Sequence, residues 1–272
     1  MASSAGFYPE IAAQSGIPTE IANRSSSLRI GVHLGLHRLQ CVIWSDQDDQ
    51  ALWSADMDCS NLPSVSEALL STRWGERTFR QCLITFDADK ICLIPDAFYV
   101  ENQKSEFLAF QTGEDERDAA KVDIPAMQAK IVYRLPADYQ RIQRFFPNAQ
   151  IIPKSSLLLN YATRKSSATG NHIQFHLTGK VLTMIAFARG EMSLMNTYQV
   201  SSAEDILYFM SGAAMRLGID FSETQLEGYI ESDWDGDLVI SLLREFSTQV
   251  SRLAPATNDN HVFETLFVQC AS

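Results

Sequence analysis

Four of the five histidines stand in two pairs whose spacing could bind a metal ion. His33 and His37, like His172 and His176, are separated by three residues, which on a helix would place both imidazoles on one face. The second pair, however, lies in an alternating segment typical of a strand, where residues four apart are about 13 Å from each other at roughly 3.3 Å per residue. One ion cannot bridge that distance, and no third ligand accompanies the first pair. The spacing therefore predicts no metal site within either pair.

Other motifs with chemical meaning fail on their own spacing. Asp233–Asp237 resembles the start of a calcium-binding loop, but Leu238 stands where the loop needs glycine and Arg244 where it needs glutamate. A helix cap at Asp235 is the better interpretation. The pair Gly179-Lys180 lacks the earlier glycine of a P-loop. No G-x-S-x-G or S-x-x-K motif is present, so nothing in the sequence supports nucleophilic catalysis.

Composition narrows the class of protein and its compartment. The 272 residues include 22 Lys and Arg against 33 Asp and Glu, a net charge of −11, which argues against a protein that coats nucleic acid or anionic lipid. The longest uncharged apolar run in the middle of the chain, Val181–Ala188, is far shorter than the roughly 18 residues of a membrane span. Five well-separated cysteines without a C-x-x-C motif favour a reducing cytoplasm. Residues 1–26 lack the features of a secretion signal and are predicted to be a flexible tail.

Charged residues are unevenly distributed along the chain. Lys130–Lys165 contains seven basic residues and one acid, whereas Leu217–Leu243 contains seven acids and no base. Either these are solvated helix faces, or they form a bipolar surface that orients a partner or stacks copies head to tail. Trp74, Trp234 and Tyr229 are candidate aromatic residues for such an interface.

The predicted elements form two similar half-chains. Each half begins with three strands followed by a helix, and the helix of the second half is predicted to start at a Ser201 cap with Glu204 as its partner and to end at Gly218. The chain is predicted to close with a strand over Val262–Val268. This duplication predicts an α/β fold with two ribonuclease-H-like domains, residues 27–152 and 153–272, and a ligand-binding cleft between them. The predicted opening strands are 28–34, 39–44 and 51–57 in the first half, and 172–177, 181–188 and 192–199 in the second.

The start of each half resembles the phosphate loops of the actin, heat-shock-chaperone and sugar-kinase superfamily. The two segments are Ile30–His37 and Ile173–Lys180. The resemblance implies an actin-like ATPase arrangement in which each first strand ends in an aspartate that positions magnesium and the attacking water. His33 and His176 occupy those two positions, and imidazoles are poor ligands for magnesium.

Other departures from the superfamily pattern also argue against an ATPase. Leu36 and His37 replace the small hydroxyl residues of the first turn. Of the paired glycines that usually end the nucleoside-binding strand, only Gly228 remains, followed by Tyr229. If the cleft nevertheless holds a cofactor, the residues expected to contact it are His33, Gly35, His176, Gly179 and Gly228. A pH-sensitive or transition-metal site between His33 and His176, facing each other across the cleft, is a further hypothesis.

A closer resemblance covers roughly residues 27–272. Its motifs are Asn196-Thr197-Tyr198, Leu217-Gly218-Ile219-Asp220 and the ending His261–Phe267, which are similar to an uncharacterised cytoplasmic family of Bacteroidota with an actin-like fold, distantly similar to the cytoplasmic platform protein of type IV pili. The resemblance implies a non-catalytic, protein-binding or scaffolding module with no cofactor, no bound nucleic acid and no membrane insertion. The alternatives are a divergent ATPase or small-molecule kinase that binds ATP and magnesium in the cleft, and a metal-dependent enzyme that uses His33 and His176.

Overall fold

The computed structural model describes residues 8–47, 50–88, 90–113, 118–166, 170–230, 234–252 and 266–268. These residues divide into two compact units. The first unit contains the described residues up to 158 together with 266–268, and the second contains those from 159 to 252. Each unit is an α/β assembly built around its own five-stranded sheet.

The described strands and helices alternate along the chain. The strands are β1 (Arg29–Leu34), β2 (Arg38–Trp44), β3 (Ala51–Asp58), β4 (Gln81–Phe86), β5 (Ile91–Pro95), β6 (Ala119–Ile124), β7 (Ala129–Arg134), β8 (Ala149–Pro153), β9 (His172–Thr178), β10 (Val181–Ala188), β11 (Glu191–Gln199), β12 (Gln225–Ile230) and β13 (Val250–Arg252). The helices are α1 (Pro9–Gln14), α2 (Thr19–Asn23), α3 (Val65–Ser71), α4 (Lys104–Thr112), α5 (Tyr139–Phe145), α6 (Lys154–Lys165), α7 (Ala203–Leu217) and α8 (Gly236–Arg244).

The two five-stranded sheets have the same topology. Their orders are β3-β2-β1-β4-β8 in the first unit and β11-β10-β9-β12-β13 in the second. In each sheet the first three strands pair antiparallel, and the last two join in parallel. The parallel pairing brings the carboxyl ends of β1, β4 and β8 to one edge of the first sheet. A smaller sheet of order β5-β7-β6 is inserted in the first unit.

Alternation along β9 separates the apolar face of the second sheet from its polar face. Ile173, Phe175 and Leu177 pack into a buried core with residues of α7 and α8. His172 and His176 point to the opposite face because neighbouring side chains of a strand alternate. Both sides of this strand are therefore buried, one against helices and one among polar groups.

Helix α7 begins one residue later than the sequence predicts. Ser202, not Ser201, is the cap: its Oγ accepts a hydrogen bond from the Asp205 N–H at 3.3 Å. The Asp205 carboxylate in turn accepts from the Ser202 N–H at 3.2 Å, which completes the capping box. Gly218 ends the helix in the left-handed conformation, as predicted.

The segment that the sequence predicts to be a flexible tail contains helices in its described part. Residues 8–26 form α1, α2 and a short 3-10 helix, while residues 1–7 lie outside the described part. Ile11 is buried, and the indole N–H of Trp74 donates to the Ser15 carbonyl at 2.8 Å. The segment is ordered because it supplies apolar contacts and a hydrogen-bond acceptor to the first unit.

The predicted C-terminal strand is also corrected where the structure describes it. Of Val262–Val268, residues 266–268 are described, and they are helical. Phe267 is buried in the first unit, 6.0 Å from Trp44 between ring centroids. Its ring lies where a side chain on Gly31 would project, because a Cβ there would come within 2.5 Å of it. The described end of the predicted strand is therefore a short helical piece that packs into the first unit.

Candidate functional site

The carboxyl end of β1 carries a buried histidine with two polar partners. His33 is 1% exposed, and its Nδ1 lies 3.0 Å from the Thr85 Oγ1 on the neighbouring strand β4. Its Nε2 lies 3.6 Å from the Asp87 Oδ2, just beyond the end of β4. Burial lowers the pKa of His33, an effect that Asp87 opposes, so the imidazole is neutral at pH 7.

An internal cation neutralises the carboxylate of this cluster. Lys154, the first residue of α6, forms an ion pair with Asp87, and only 5% of its side chain is exposed. Burial alone would raise the pKa of Asp87, but the Lys154 ammonium and the His33 ring hold it well below its usual range. The cluster therefore combines one cation, one anion and one neutral imidazole, with no net charge.

Sequence reasoning identified His33 and missed its partners. Thr85, Asp87 and Lys154 are far from His33 in the sequence, and no motif connects them. The signal lay in the topology, because side chains that follow adjacent parallel strands meet at the same edge of the sheet, where α/β proteins commonly bind ligands.

The turn that follows β1 is closed by its own backbone. The Gly35 N–H donates to the Arg38 carbonyl at 2.9 Å, so this amide is already used within the turn. A Cβ on Gly35 would lie 3.3 Å from that carbonyl and 3.4 Å from the His33 Nε2. Gly35 thus lies directly beside His33, and its small size permits this tight packing. Leu36, at the tip of the turn, is 69% exposed.

His176 occupies the corresponding strand of the second unit. It is 2% exposed and stacks on Tyr229 of β12, with ring centroids 4.6 Å apart and planes inclined by 10°. Thr178 Oγ1 lies 3.1 Å from the His176 Nδ1. In the following turn Gly179 has a positive φ of 52°, and its carbonyl accepts the Trp234 indole N–H at 2.5 Å. His176 and Gly179 are therefore held by contacts within the second unit.

Gly228 has a packing role on the other face of the second sheet. A Cβ at this position would come within 1.9 Å of the Phe175 ring, which fills the space beside the glycine. Its neighbour Tyr229 points to the face that carries His176. Tyr229 therefore contacts His176 on the polar face of the sheet. Gly228, which lacks a side chain, faces Phe175 in the apolar core on the other side.

The predicted interface features are corrected by burial and pairing. Trp74 and Tyr229 are 1% and 3% exposed, and Trp234 is partly buried, so the first two cannot form an outer contact surface.

Within the basic segment Lys130–Lys165, several cations are neutralised by acids from elsewhere in the first unit. The pairs are Lys130 with Asp96 and Asp123, Arg141 with Glu67, and Lys154 with Asp87.

Among the described residues, no group of three or more His, Cys, Asp or Glu side chains is arranged to hold a metal ion. No described helix is long and apolar enough to cross a membrane. In the loop that resembles a calcium site, residues 231–233 lie outside the described part, and Asp235 caps α8 by accepting the Leu238 N–H at 3.0 Å. The predicted cap is confirmed.

Comparison with known families identifies the chain as a member of a family whose function has not been assigned. The family model described as "Protein of unknown function (DUF3822)" matches residues 19–250, so the chain belongs to this family. A search of curated proteins finds no match.

Solved structures establish the fold. A protein from Bacteroides thetaiotaomicron VPI-5482, described as having an actin-like ATPase fold and unknown function, superposes with a TM-score of 0.77 at 17% identity, covering 94% of this chain and 100% of that one. The predicted actin-like fold is thereby confirmed. More distant are the PilM–PilN type IV pilus biogenesis complex (TM-score 0.46, 9% identity, 89% and 96% covered) and a polyphosphate/ATP-glucomannokinase from Arthrobacter sp. strain KM (0.43, 13%, 90% and 100%).

Proposed function

We propose that this family member is a non-catalytic, protein-binding module of the bacterial cytoplasm that uses the actin-like fold without ATP hydrolysis. The observation that carries the proposal is the cluster at the end of β1. His33 stands where the superfamily has an aspartate, and it is already engaged by Thr85 and Asp87. The adjacent carboxylate of Asp87 is neutralised by Lys154.

This arrangement is unsuited to a magnesium nucleotide. Magnesium prefers oxygen ligands, usually carboxylates together with phosphate oxygens, and keeps much of its water. A neutral, buried imidazole offers no charge to such an ion, and the charge of the Asp87 carboxylate is already compensated by Lys154. At the nucleoside-binding strand, Gly228 serves the packing of Phe175. Both features indicate that these residues stabilise the fold and do not contact a nucleotide.

The outer face of α7 is the surface that we assign to the partner. Tyr208 and Met215 are 72% and 76% exposed and lie about two turns apart on one side of the helix. Between them Gly212 leaves open space, since a Cβ there would meet no atom within 4 Å. Leu238 on the adjacent helix α8 is 59% exposed. Large exposed apolar side chains on neighbouring helices are typical of a protein-interaction surface.

Charge around this face specifies the chemistry of the partner. Exposed acids lie at the ends of these two helices: Glu204 and Asp237 stand in the first turns of α7 and α8, and Asp220 follows the end of α7. Asp237 also lies 3.8 Å from the Arg252 guanidinium. We therefore expect a partner protein segment that presents an apolar side chain flanked by lysine or arginine. The described cysteines 41, 59, 82 and 92 are free thiols, which supports a reducing compartment.

Thermal unfolding of the full-length chain tests the loss of nucleotide binding. Millimolar ATP with magnesium should leave the midpoint unchanged, whereas a ligand present at one hundred times its Kd would add about 2.7 kcal/mol of stability. His33→Asp, which restores the superfamily residue, is the comparison variant. A rise in the wild-type midpoint that depends on magnesium would contradict the proposal and favour the kinase or ATPase alternative.

Affinity capture with matched variants tests the partner surface. The wild-type chain and the control Phe110→Lys, at a 95% exposed position in the first unit, should retain the same protein from lysate at comparable yield. The double variant Tyr208→Lys/Met215→Lys should lose at least nine-tenths of it, because it removes the apolar contacts and adds charge that repels a basic segment. Equal retention by all three chains, or no specific capture, would contradict a partner site on α7.

A further inference from the structure

The polar face of the second sheet contains a buried group of side chains that the proposed function does not use. His172 and Gln174 lie two residues apart on β9, and Glu227 lies directly beside Gln174 on β12. His172 and Gln174 are each 2% exposed, and the Glu227 side chain is 13% exposed. The His172 Nε2 and the Glu227 Oε2 are 4.0 Å apart. The three residues therefore lie on the same buried face of the second sheet, with the histidine and the glutamate close to each other.

Several polar atoms of this cluster have no hydrogen-bond partner among the residues that the structure describes. They are both ring nitrogens of His172, the Gln174 Oε1 and the Glu227 Oε2. A buried polar atom without a partner destabilises the folded protein, because it has lost its hydrogen bonds to water and gained none in return. His33 and His176 are equally buried, yet their ring nitrogens contact Thr85 and Thr178. The cluster at His172 thus differs from His33 and His176 because the polar atoms named above make no hydrogen bonds to the described residues.

The unused atoms favour an electron-poor occupant. The two oxygens are acceptors, and a neutral imidazole offers one lone pair alongside its single N–H. Burial lowers the pKa of His172 to about 4 and raises the pKa of Glu227, because both groups are withdrawn from water. The positive charge of Lys165 lowers the pKa of both His172 and Glu227. The Lys165 ammonium itself lies over the Tyr161 ring, 5.5 Å from the ring centre.

We propose that His172, Gln174 and Glu227 form a binding site for a divalent transition-metal ion of the zinc class. The ligands are the His172 Nε2, the Gln174 Oε1 and a Glu227 carboxylate oxygen, which leaves a fourth position for water. Two ligands of a tetrahedral zinc ion are about 3.4 Å apart, so the histidine and the glutamate close by about 0.6 Å on binding. An amide as third ligand makes this a weaker site than one with three histidine or cysteine ligands.

This site differs from the histidine pairs considered in the sequence. The His172–His176 spacing is too long for one ion, and the proposed partners of His172 are instead its neighbour on β9 and a residue of β12. The proposal does not depend on the loss of ATP hydrolysis or on the α7 surface, because it rests on the polar face of the second sheet alone.

Metal titration of the full-length chain, stripped with a chelator, tests the site. Zinc should bind with a stoichiometry of one by calorimetry, and cobalt should give the visible absorption of a nitrogen- and oxygen-ligated ion. Glu227→Gln should raise the Kd for zinc at least tenfold, and His172→Phe should abolish binding. His37→Phe, which removes an exposed histidine outside the cluster, should leave the Kd unchanged.

A stability measurement guards against variants that simply fail to fold. Because His172→Phe removes two buried nitrogens without partners and keeps a ring against Phe187, it should unfold at or above the midpoint of the metal-free wild type. Zinc should raise the midpoint of the wild type and of His37→Phe, but not that of His172→Phe. Zinc binding that survives His172→Phe, or no binding to the wild type, would overturn the proposal.

Discussion

At the scale of single residues, the positions that resemble a nucleotide site serve the protein's own packing. His33 contacts Thr85 and Asp87, His176 stacks on Tyr229, and Gly228 makes room for the Phe175 ring. His33, His176 and Gly228 are the residues that the sequence predicts to contact a cofactor. Their contacts within the protein give a structural reason for these residue types.

Gly228 gives the most direct test of this explanation. Gly228→Ala should destabilise the protein by about 1–3 kcal/mol or more, because the new Cβ would overlap a ring confined in the core. The measurement is the free energy of unfolding in denaturant, with circular dichroism as the signal that reports unfolding. Gly212→Ala is the control: it lies in helix α7 with open space around it, so alanine should be neutral or stabilise by about 0.5–1 kcal/mol. Equal stabilities for Gly228→Ala and the wild type would show that the glycine is kept for another reason.

At the scale of elements, the sequence predicts strongly periodic segments well and boundaries less well. The helix predicted between a Ser201 cap and Gly218 is present over residues 203–217, and it begins one residue later than predicted. Ser201 and Ser202 both precede the helix, and the Asp205 carboxylate accepts hydrogen bonds from the backbone of both. Sequence alone cannot decide which serine adopts the capping conformation, because the two differ only in their backbone geometry.

The inserted sheet shows where local patterns are insufficient. Two strands close in sequence, β4 and β5, look like a hairpin, yet β4 pairs in parallel with β1 and β8, and β5 pairs with β7. The strand β6 was not predicted, because most of its residues are half-buried and show no clear alternation. Pairing between distant strands is set by tertiary packing, and the same long-range pairing brings Asp87 and Lys154 to His33.

At the scale of the whole molecule, the repeated topology was predictable and the ends of the chain were not. Three antiparallel strands followed by two parallel ones recur in both units, and this repetition was visible in the sequence as two similar half-chains. Residues 8–26 and 266–268, by contrast, are too short to show a period of their own. Their structure depends on surfaces of the first unit, which they complete by burying Ile11 and Phe267.

The position of Phe267 leads to a prediction about how the molecule is stabilised. The first unit needs residues from both ends of the chain, because this ring, close to the C-terminus, occupies the space beside Gly31 and contacts Trp44. Phe267→Ala should therefore lower the stability of the first unit by about 3–5 kcal/mol, as expected for loss of a buried phenylalanine. Tryptophan fluorescence during denaturant unfolding reports this unit, since Trp44, Trp53 and Trp74 belong to it and only Trp234 belongs to the second.

The control for this prediction is a phenylalanine that packs against little. Phe110 is 95% exposed in the same unit, so Phe110→Ala should change the stability by no more than about 0.5 kcal/mol. A fluorescence transition that moves to lower denaturant in Phe267→Ala and stays in place in Phe110→Ala would mean that the C-terminal residues are part of the first unit's core. If the two variants unfold together with the wild type, the stability of the first unit comes from its sheet and helices without the C-terminal contact. In that case the small size of Gly31 would need another explanation.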